Sequence, residues 1–487
     1  MNLSKCLENE TNYTETHNGA VAYKSTLNSV VDLFAQIGAM RNRNAKDKIM
    51  LFENAFAEDK ELSMKILFYI RDCRGGQGER QTFRDIYTHL TNLAPEIAIA
   101  NIDNIVEFGR YDDLVYIAYN STNKKFVDAV ITYIQIALNL DMKFDKNPTL
   151  LAKWLPSINT SNHITVKQAK WLADKLKISH KEYRKTLSTL RKRINIIENN
   201  LREKNYDKIN YSNVPSLAMN KYRSAFYRND EERFSDYIDE VKSGKQQIKA
   251  QTLYPYDVVR AYLSEYSIND VLEQQWKALP DYLNGAECKS LVVSDVSGSM
   301  MGLPMYVSIS LALYISERLN GEFKNKFITF SEKPNFVTLK ENESLYNKIK
   351  KIYNADWGYN TDIKKVFELI LNVAKKYELQ QKDLPENIIV VTDMNFDVGS
   401  GHHCSNKTLF DVIKKEFKKS GYKLPKLIWW NVNAVNEVFP MKADENCQYV
   451  SGASPSIMKA ILNGQMLSPI DLIKSAVLIE RYKNIKF

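Results

Sequence analysis

The chain has 487 residues, of which 44% are hydrophobic and 26% are charged, and its net charge is +9; this length predicts two or three domains rather than one core. The longest apolar runs are far too short for a transmembrane helix, and the start of the chain lacks the apolar core of a signal peptide, so we expect a cytoplasmic protein without membrane contact. The five cysteines form no C-x-x-C pair, so neither a zinc knuckle nor a disulfide framework is expected.

The pattern of apolar residues predicts that the first half of the chain is helical. Residues 1–20 are expected to be a tail, and residues 21–285 show apolar residues at helical spacing, such as Val30, Leu33, Phe34 and Ile37. Helices are predicted over 25–39, 46–56, 62–70, 82–93, 101–108, 112–119, 126–140, 166–176 and 217–228. Successive helix pairs that cannot each bury a face alone favour a solenoid of degenerate repeats, and the alternative is an irregular helical domain.

Two basic segments lie within this helical half. The loop from Arg71 to Arg80 contains three glycines and three arginines, so its backbone amides and guanidinium groups could bind phosphate. The alternative is a tight turn between two helices whose side chains cap the helix ends. From Lys167 to Arg193 there are ten Lys or Arg residues against two acidic ones. Such a charge favours a polyanionic partner, although a solvated helix face would show the same pattern.

The second half, residues 286–487, alternates between strand and helix patterns. Strands are predicted over 290–295, 326–330, 336–339, 387–393 and 427–432, and helices over 305–319, 344–353, 363–377 and 409–420. This alternation predicts a doubly wound α/β domain with a mainly parallel sheet. Ligands of such sheets lie beyond the carboxyl ends of the strands, where Asp295 and Asp393 are expected.

Three segments are predicted to meet at that edge of the sheet. The first carries Asp295, Ser297 and Ser299 in D-x-S-x-S spacing, the second offers Thr361, and the third ends an apolar strand on Asp393. Carboxylate and hydroxyl oxygens suit a hard cation, and we expect Mg2+ or another hard divalent cation. The alternative for the D-x-S-x-S stretch alone is a capped helix start, because Asp and Ser are good N-caps.

This combination resembles the von Willebrand factor A domain with its metal-ion-dependent adhesion site. The resemblance implies that Ser297, Ser299 and Thr361 coordinate directly, whereas Asp295 and Asp393 often act through water. It further implies that the ion has room for an acidic oxygen from a protein partner.

The helical half is similar to the helical-repeat TROVE module of the Ro ribonucleoprotein family. The similarity rests on the loop 71–80 and on segments 107–113 and 153–157, and the order of the two halves is the same. Segments 183–185, 212–216 and 222–226 look more like a broad, largely uncharacterised family of plants, fungi and large viruses. The implied fold class is an N-terminal α-helical repeat (HEAT-like) domain followed by a doubly wound von Willebrand A-type α/β domain.

In the Ro family the helical repeats bind structured and single-stranded RNA. By that resemblance the clustered cations become candidate phosphate contacts, although no residue-by-residue alignment to known RNA contacts supports them. The candidates are Arg71, Arg74, Arg80, Lys167, Lys170, Arg184, Lys185, Arg191, Lys192 and Arg193.

The leading functional hypothesis is a monomeric, non-enzymatic RNA-binding protein that carries a divalent-metal adhesion site. The alternative is a protein-interaction adaptor or virus-associated protein, in which the metal binds a partner carboxylate and the basic face is merely solvated. A third hypothesis is a metal-dependent phosphotransfer enzyme or nuclease, for which no histidine or nucleophile is suitably placed near the acidic residues.

Overall fold

The computed structural model describes residues 3, 7, 11–144, 148–194, 196–284, 289–330, 333–353, 362–397, 409–442, 446–462 and 468–487. It divides into two compact units, each assembled from separate stretches of the chain. The sheet unit comprises Met1–Asn44, Leu51–Ser63 and Ala250–Ile479, and the helical unit comprises Ala45–Met50, Met64–Lys249 and Glu480–Phe487. The domains predicted over 21–285 and 286–487 are continuous in sequence, whereas these units are not.

The chain is a helical N-terminal region followed by a mixed sheet with helices, as the alternation of patterns predicts. The helices of the first part are α1 Ser29–Ile37, α2 Ala45–Glu58, α3 Lys60–Arg71, α4 Gln81–Leu93, α5 Pro95–Ala100, α6 Ile102–Phe108, α7 Tyr111–Asn120, α8 Lys124–Lys143, α9 Leu151–Trp154, α10 His163–Lys175, α11 His180–Arg193, α12 Ile197–Glu203, α13 Ser216–Asn229, α14 Glu231–Lys242, α15 Pro255–Tyr262 and α16 Asp270–Lys277. The helices of the second part are α17 Leu303–Arg318, α18 Leu345–Tyr353, α19 Ile363–Lys376, α20 Leu409–Lys419, α21 Met458–Leu462 and α22 Pro469–Val477.

The strands form a two-stranded hairpin and one larger sheet. They are β1 Tyr13–Glu15, β2 Val21–Tyr23, β3 Ser290–Asp295, β4 Lys326–Phe330, β5 Asn335–Thr338, β6 Asn387–Thr392, β7 Lys426–Asn431 and β8 Cys447–Ser451. The larger sheet has the order β5-β4-β3-β6-β7-β8. Its neighbours pair in parallel except β4 and β5, which are antiparallel, so the predicted parallel character holds for all but this edge strand.

The central strands explain where the carboxyl edge of the sheet lies. Every residue of β3 is buried, and all of β6 after Asn387 is buried as well. Parallel strands covered on both faces read as continuous apolar runs, which is why both were visible in the sequence. Helix α17 packs against β3 and β6, and most of its side chains are buried. Because β3 and β6 run in parallel, both end at the same edge.

The N-terminal residues belong to the sheet unit, and the tail predicted over 1–20 is partly regular structure. β1 pairs with β2 in an antiparallel hairpin, and the Thr16 hydroxyl donates to the Phe396 carbonyl at 2.6 Å. Gly38, just after α1, lies so close to β8 that a Cβ there would stand 2.7 Å from the Ser451 carbonyl oxygen. A larger residue at this position would push α1 away from the sheet.

The core of the helical unit is rich in aromatic rings. Phe68 lies with its ring centroid 5.6 Å from Phe83, 5.8 Å from Tyr87 and 5.6 Å from Phe108, and all four side chains are buried. Aromatic pairs at these separations add to the free energy gained by burial alone. None of the helices in the described ranges is both long enough and apolar enough to cross a membrane.

Candidate metal centre and basic helical face

The carboxyl ends of β3 and β6 bring two acidic residues and the hydroxyl of Thr392 together. The register sets Ser294 opposite Val391, so Asp295 and Thr392 come next to each other. The Thr392 hydroxyl donates to Oδ2 of Asp295 at 2.7 Å, and Asp393 follows directly. Asp295 is 0% exposed and Asp393 is 3% exposed. The predicted meeting of the first and third segments at this edge is therefore present in the structure.

The turn after β3 carries the two serines. The backbone N–H of Ser297 donates to Oδ1 of Asp295 at 2.9 Å, and the hydroxyl oxygens of Ser297 and Ser299 are 3.2 Å apart. Ser297 is buried, whereas Ser299 lies in the short 3-10 turn Gly298–Met300 and is exposed to solvent. The site is thus closed on the side of the strands and accessible from solvent on the side of Ser299.

Asp393 is held by a turn of unusual backbone conformation. Its Oδ1 accepts the backbone N–H of Asn395 at 3.1 Å, and the residue between them, Met394, has a φ of 65°. Left-handed backbone is rare for a residue such as Met and marks a position that the surroundings force. The Met394 N–H donates to the Thr392 hydroxyl at 3.2 Å. Thr392 therefore links the turn of Asp393 to the carboxylate of Asp295.

The electrostatics of this edge favour a bound cation. Burial, followed by repulsion from Asp393, raises the pKa of Asp295 to about 7, although hydrogen bonds from Ser297 and Thr392 act to lower it. Within the described ranges neither carboxylate forms an ion pair with a Lys, Arg or His side chain. Two buried carboxylates without a counter-charge are costly unless a proton or a cation compensates them. An all-oxygen donor set of this kind suits a hard divalent cation.

The remaining predicted metal ligand is Thr361. Thr361 lies outside the described residues, and its neighbour Asp362 precedes α19 with an exposed fraction of 7%. No group of three His, Cys, Asp or Glu side chains is arranged to hold a metal within the part of the chain that the structure describes. The candidate centre therefore depends on two carboxylates together with the hydroxyls of Ser297 and Ser299.

A second candidate site is the basic face of the helical unit. Helices α10 and α11 bury Ala169, Leu172, Tyr183 and Leu187 and turn their charged residues outward. Seven cations on these helices are exposed and form no hydrogen bond or ion pair with any described residue. They are the predicted contacts Lys167, Lys170, Arg184, Lys185 and Lys192, together with Lys175 and Lys181. These side chains are available to a phosphate ligand.

The glycine-rich loop does not have the role that the sequence suggested. Arg71 is 2% exposed, and its Nε donates to Oδ2 of Asp113 at 2.8 Å, so it cannot reach a surface phosphate and its assignment as a contact is wrong. The loop amides are also used internally: Gln77 N–H bonds to the Tyr69 carbonyl at 3.1 Å, and Gly78 N–H to that of Asp72 at 3.1 Å. The loop is therefore a tight turn between α3 and α4, which is the alternative to phosphate binding given in the sequence analysis.

The other predicted contacts differ in exposure. Arg74 is exposed and donates to the Glu107 carbonyl at 3.2 Å, and Arg80 has a side chain 49% exposed at 3.7 Å from Asp112. Arg191 donates to the carbonyls of Ala152 and Leu155, and Arg193 to that of Met142 at 3.3 Å. These two arginines satisfy the carboxyl ends of α9 and α8.

Three residues that matter for these sites were not singled out from the sequence. Thr392 and Asn395 orient the two aspartates, and Arg202 lies beside Arg184 and Lys192. Thr392 could have been found, because it directly precedes Asp393 at the end of a strand. The roles of Asn395 and Arg202 depend on turns and packing that no short motif signals.

Comparisons with known proteins define the family. A family model described as a domain of unknown function, DUF2828, matches residues 16–147 and 139–286, and a second one, DUF7788, matches residues 289–479. The chain belongs to the DUF2828 family. Uncharacterized protein L728 of Acanthamoeba polyphaga mimivirus is 30% identical to it over an alignment that covers 95% of this chain and 86% of that protein.

Proposed function

We propose that this protein is a non-enzymatic RNA-binding protein whose helical unit contacts RNA phosphates and whose sheet unit holds a divalent cation. One observation supports the RNA-binding part: α10 and α11 present seven exposed cations that pair with no described residue, and five of them are predicted contacts. The same helical unit pairs its buried arginines with carboxylates, as Arg71 and Arg84 do with Asp113. The unpaired cations are thus the part of its charge that internal structure does not use.

The proposed architecture is that of a HEAT-like helical repeat joined to a von Willebrand A-type domain, in the order found in Ro ribonucleoproteins. Contacts to phosphate give affinity and a steep dependence on salt, but little preference for sequence. We therefore propose that RNA shape, or the accessibility of its strands, decides which RNA is bound.

In the sheet unit, Asp295, Asp393, Ser297 and Ser299 are the residues that we propose to hold Mg2+ or a similar hard cation. When bound, the ion supplies a positive centre that attracts an acidic oxygen from outside the protein. Thr392 and Asn395 keep the two carboxylates in place through the hydrogen bonds described above.

The test is RNA affinity as a function of salt concentration. The test variant replaces Lys167, Lys170, Arg184, Lys185 and Lys192 with Gln. The matched control replaces five exposed lysines of α19 and α20 with Gln, namely Lys375, Lys414, Lys415, Lys418 and Lys419. Each lost phosphate contact flattens the slope of log affinity against log salt by about 0.7 to 0.9.

We expect the wild type and the control to bind with similar slopes, and the test variant to bind weakly with a much flatter slope. Equal losses in the two variants would mean that only net charge matters. A wild type that binds no structured or single-stranded RNA at low salt would rule out the proposal.

A second candidate function is that of a protein-interaction adaptor, and the geometry of the turn after β3 favours it specifically. Ser299 is exposed on the turn that follows the buried Asp295, and Met301, two residues further on, is 81% exposed, so a partner side chain can approach the proposed ion. This function predicts a protein complex that needs Mg2+, is lost with EDTA and is lost in Asp295→Ala. A complex that persists in that variant would exclude it.

A further inference from the structure

A polar groove lies in the helical unit beside α11. It has a cavity volume of about 220 Å³ and is bordered by α11, by residues 157–159 and by α12. Four of its lining residues are cationic, Arg184, Arg191, Lys192 and Arg202, and none of its lining residues is acidic. Pockets for drug-sized ligands are usually larger, about 300 Å³ or more, so this groove suits a small anionic group.

The positions of three lining residues along α11 explain how the groove is formed. Arg184, Ser188 and Arg191 are spaced by four and three residues, which places them on one face of the helix. Lys192, four residues after Ser188, lies on the same face of the helix. The side chains of Arg184 and Lys192 form no hydrogen bond or ion pair with a described residue. A ligand in the groove would therefore meet hydrogen-bond donors that no internal contact occupies.

Arg191 also lines the groove, and none of the groups that its guanidinium contacts is a carboxylate. Its Nε donates to the Ala152 carbonyl at 2.7 Å, Nη1 to the Ser157 hydroxyl at 2.8 Å and Nη2 to the Leu155 carbonyl at 2.9 Å. All three acceptors are neutral. Burial lowers the pKa of Arg191 from its ordinary value, although an arginine stays charged throughout the physiological range.

The two acidic residues of α12 do not neutralise this cluster. Glu203 pairs with Arg202 at 3.1 Å, but both of these side chains are mostly exposed, so the pair contributes little. Glu198 pairs with Lys153 at 3.7 Å, and neither of them lines the groove. Four cations thus share one concave site with at most one weak carboxylate partner, which favours a bound anion.

We propose that this groove binds a phosphate monoester, the group at the 5′ end of a nucleotide or of an RNA strand. A monoester is a small dianion with three terminal oxygens, which matches a site with several convergent cationic donors. Arginine forks bind phosphate in a bidentate manner, and the serine hydroxyl of Ser188 adds a neutral donor. The identity of the natural ligand as RNA rests on the proposed function, whereas recognition of the phosphate group itself does not.

The first experiment uses the full-length protein and small probes. Calorimetric titration with adenosine 5′-monophosphate, inorganic phosphate and adenosine, at matched ionic strength, measures whether the phosphate group is recognised. We expect binding of the first two and none of adenosine. Equal binding of adenosine and adenosine 5′-monophosphate, or binding of neither phosphate probe, would overturn the proposal, leaving Arg191 as a helix cap only.

The second experiment places the probe in the groove. Arg184→Gln with Lys192→Gln removes two exposed cations from the groove, and the control Lys124→Gln with Lys125→Gln removes two exposed cations from the start of α8, outside it. Loss of one charge-assisted contact to a phosphate costs roughly tenfold in affinity. We expect about a hundredfold loss for the first pair and no change for the second. The same loss in both pairs would contradict a defined groove.

A third comparison separates this inference from the proposed function. An RNA oligonucleotide with a 5′-phosphate is compared with the same oligonucleotide carrying a 5′-hydroxyl. If RNA binding is real but the groove is not a phosphate site, both oligonucleotides bind equally. If the groove is real but RNA is not the ligand, only the 5′-phosphorylated oligonucleotide competes with adenosine 5′-monophosphate, and it binds no more tightly than that nucleotide.

Discussion

In the helical unit, the buried carboxylates of Asp72 and Asp113 accept hydrogen bonds from arginine side chains, whereas in the sheet unit Asp295 and Asp393 accept theirs from hydroxyls and amides. Asp113 receives Arg71 at 2.8 Å and Arg84 at 2.7 Å, and Asp72 receives Nη2 of Arg481 at 2.7 Å. Asp72, Asp113 and Asp295 are all 0% exposed, so burial alone does not distinguish the two units.

The difference lies in the counter-charge, and it distinguishes the carboxylates that stabilise the fold from the two that we propose to bind a cation. Burial acts to raise the pKa of Asp72, but the hydrogen bond and charge of Arg481, together with the backbone N–H groups of Arg74 and Gly75, hold it below its ordinary value. Asp295 has no such partner, and its pKa is raised to about 7 by burial and by Asp393. The charge of a buried carboxylate that pairs with an arginine is already compensated inside the fold. The charge of two buried carboxylates without such a partner is not, and this arrangement suits a cation from solution.

The largest effect is expected from breaking the arginine pairs of the helical unit. Asp113→Ala leaves Arg71 buried without a partner and should lower the free energy of unfolding by about 3 to 5 kcal/mol. Urea unfolding followed by circular dichroism measures this. The control Asp239→Ala removes an exposed pair with Lys242 and should cost less than about 1 kcal/mol. Similar costs for both variants would mean that the buried network does not stabilise the unit.

The pH dependence of stability tests the sheet unit without metal. Because the folded pKa of Asp295, about 7, lies above its unfolded value of 3.8, the folded state retains a proton that the unfolded state has lost. The stability of the metal-free protein should therefore fall as the pH rises from about 4 to about 7. Asp295→Asn should lack this fall and be more stable than the wild type above pH 7.

The wild type and Asp295→Asn must be compared at each pH, because Asp32 also has a pKa raised to about 6 by burial and contributes to the same window. That contribution is common to both proteins and cancels in the difference. A difference between the two proteins that stays constant from pH 4 to pH 8 would show that Asp295 does not titrate in this range.

Magnesium should stabilise the sheet unit through the same residues. At a concentration of 100 times its dissociation constant, a ligand that binds only the folded state adds about 2.7 kcal/mol. We expect Mg2+ to stabilise the wild type and not Asp393→Ala, as measured by thermal unfolding with and without EDTA. Glu322→Gln, an exposed change in the same unit, should retain the effect of Mg2+. Stabilisation that survives in Asp393→Ala would place the ion elsewhere.

The smallest effect on stability is expected on the basic face. Lys167→Gln with Lys170→Gln should change the free energy of unfolding by less than about 0.5 kcal/mol, because both side chains are exposed and unpaired. Urea unfolding measures this. A larger loss would mean that these lysines support the fold rather than a ligand.

Much of the sheet and one part of the candidate metal site were predictable because they depend on local sequence. β3 and β4 have the predicted bounds, since runs of buried β-branched and aromatic residues are distinctive. Asp295 and Asp393 end such runs, so the meeting of their segments followed from the rule that parallel strands end at one edge.

What the sequence did not reveal depends on contacts between residues far apart in the chain. Arg71 and Asp113 are 42 residues apart, and nothing local indicates that they pair. β8 was missed because Cys447–Ser451 is short and includes polar residues, although Gln448 is buried in the sheet. The strand β1 in the predicted tail was missed because it is only three residues long and includes the polar residues Thr14 and Glu15.

The most direct test of the contrast between the two units is a calorimetric titration of the metal-stripped protein with Mg2+. The titration compares the wild type, Asp393→Ala and Asp239→Ala under identical conditions. We predict one bound ion per chain in the wild type and in Asp239→Ala, and none in Asp393→Ala. An absence of binding in the wild type, or unchanged binding in Asp393→Ala, would contradict the assignment of the sheet edge as a cation site.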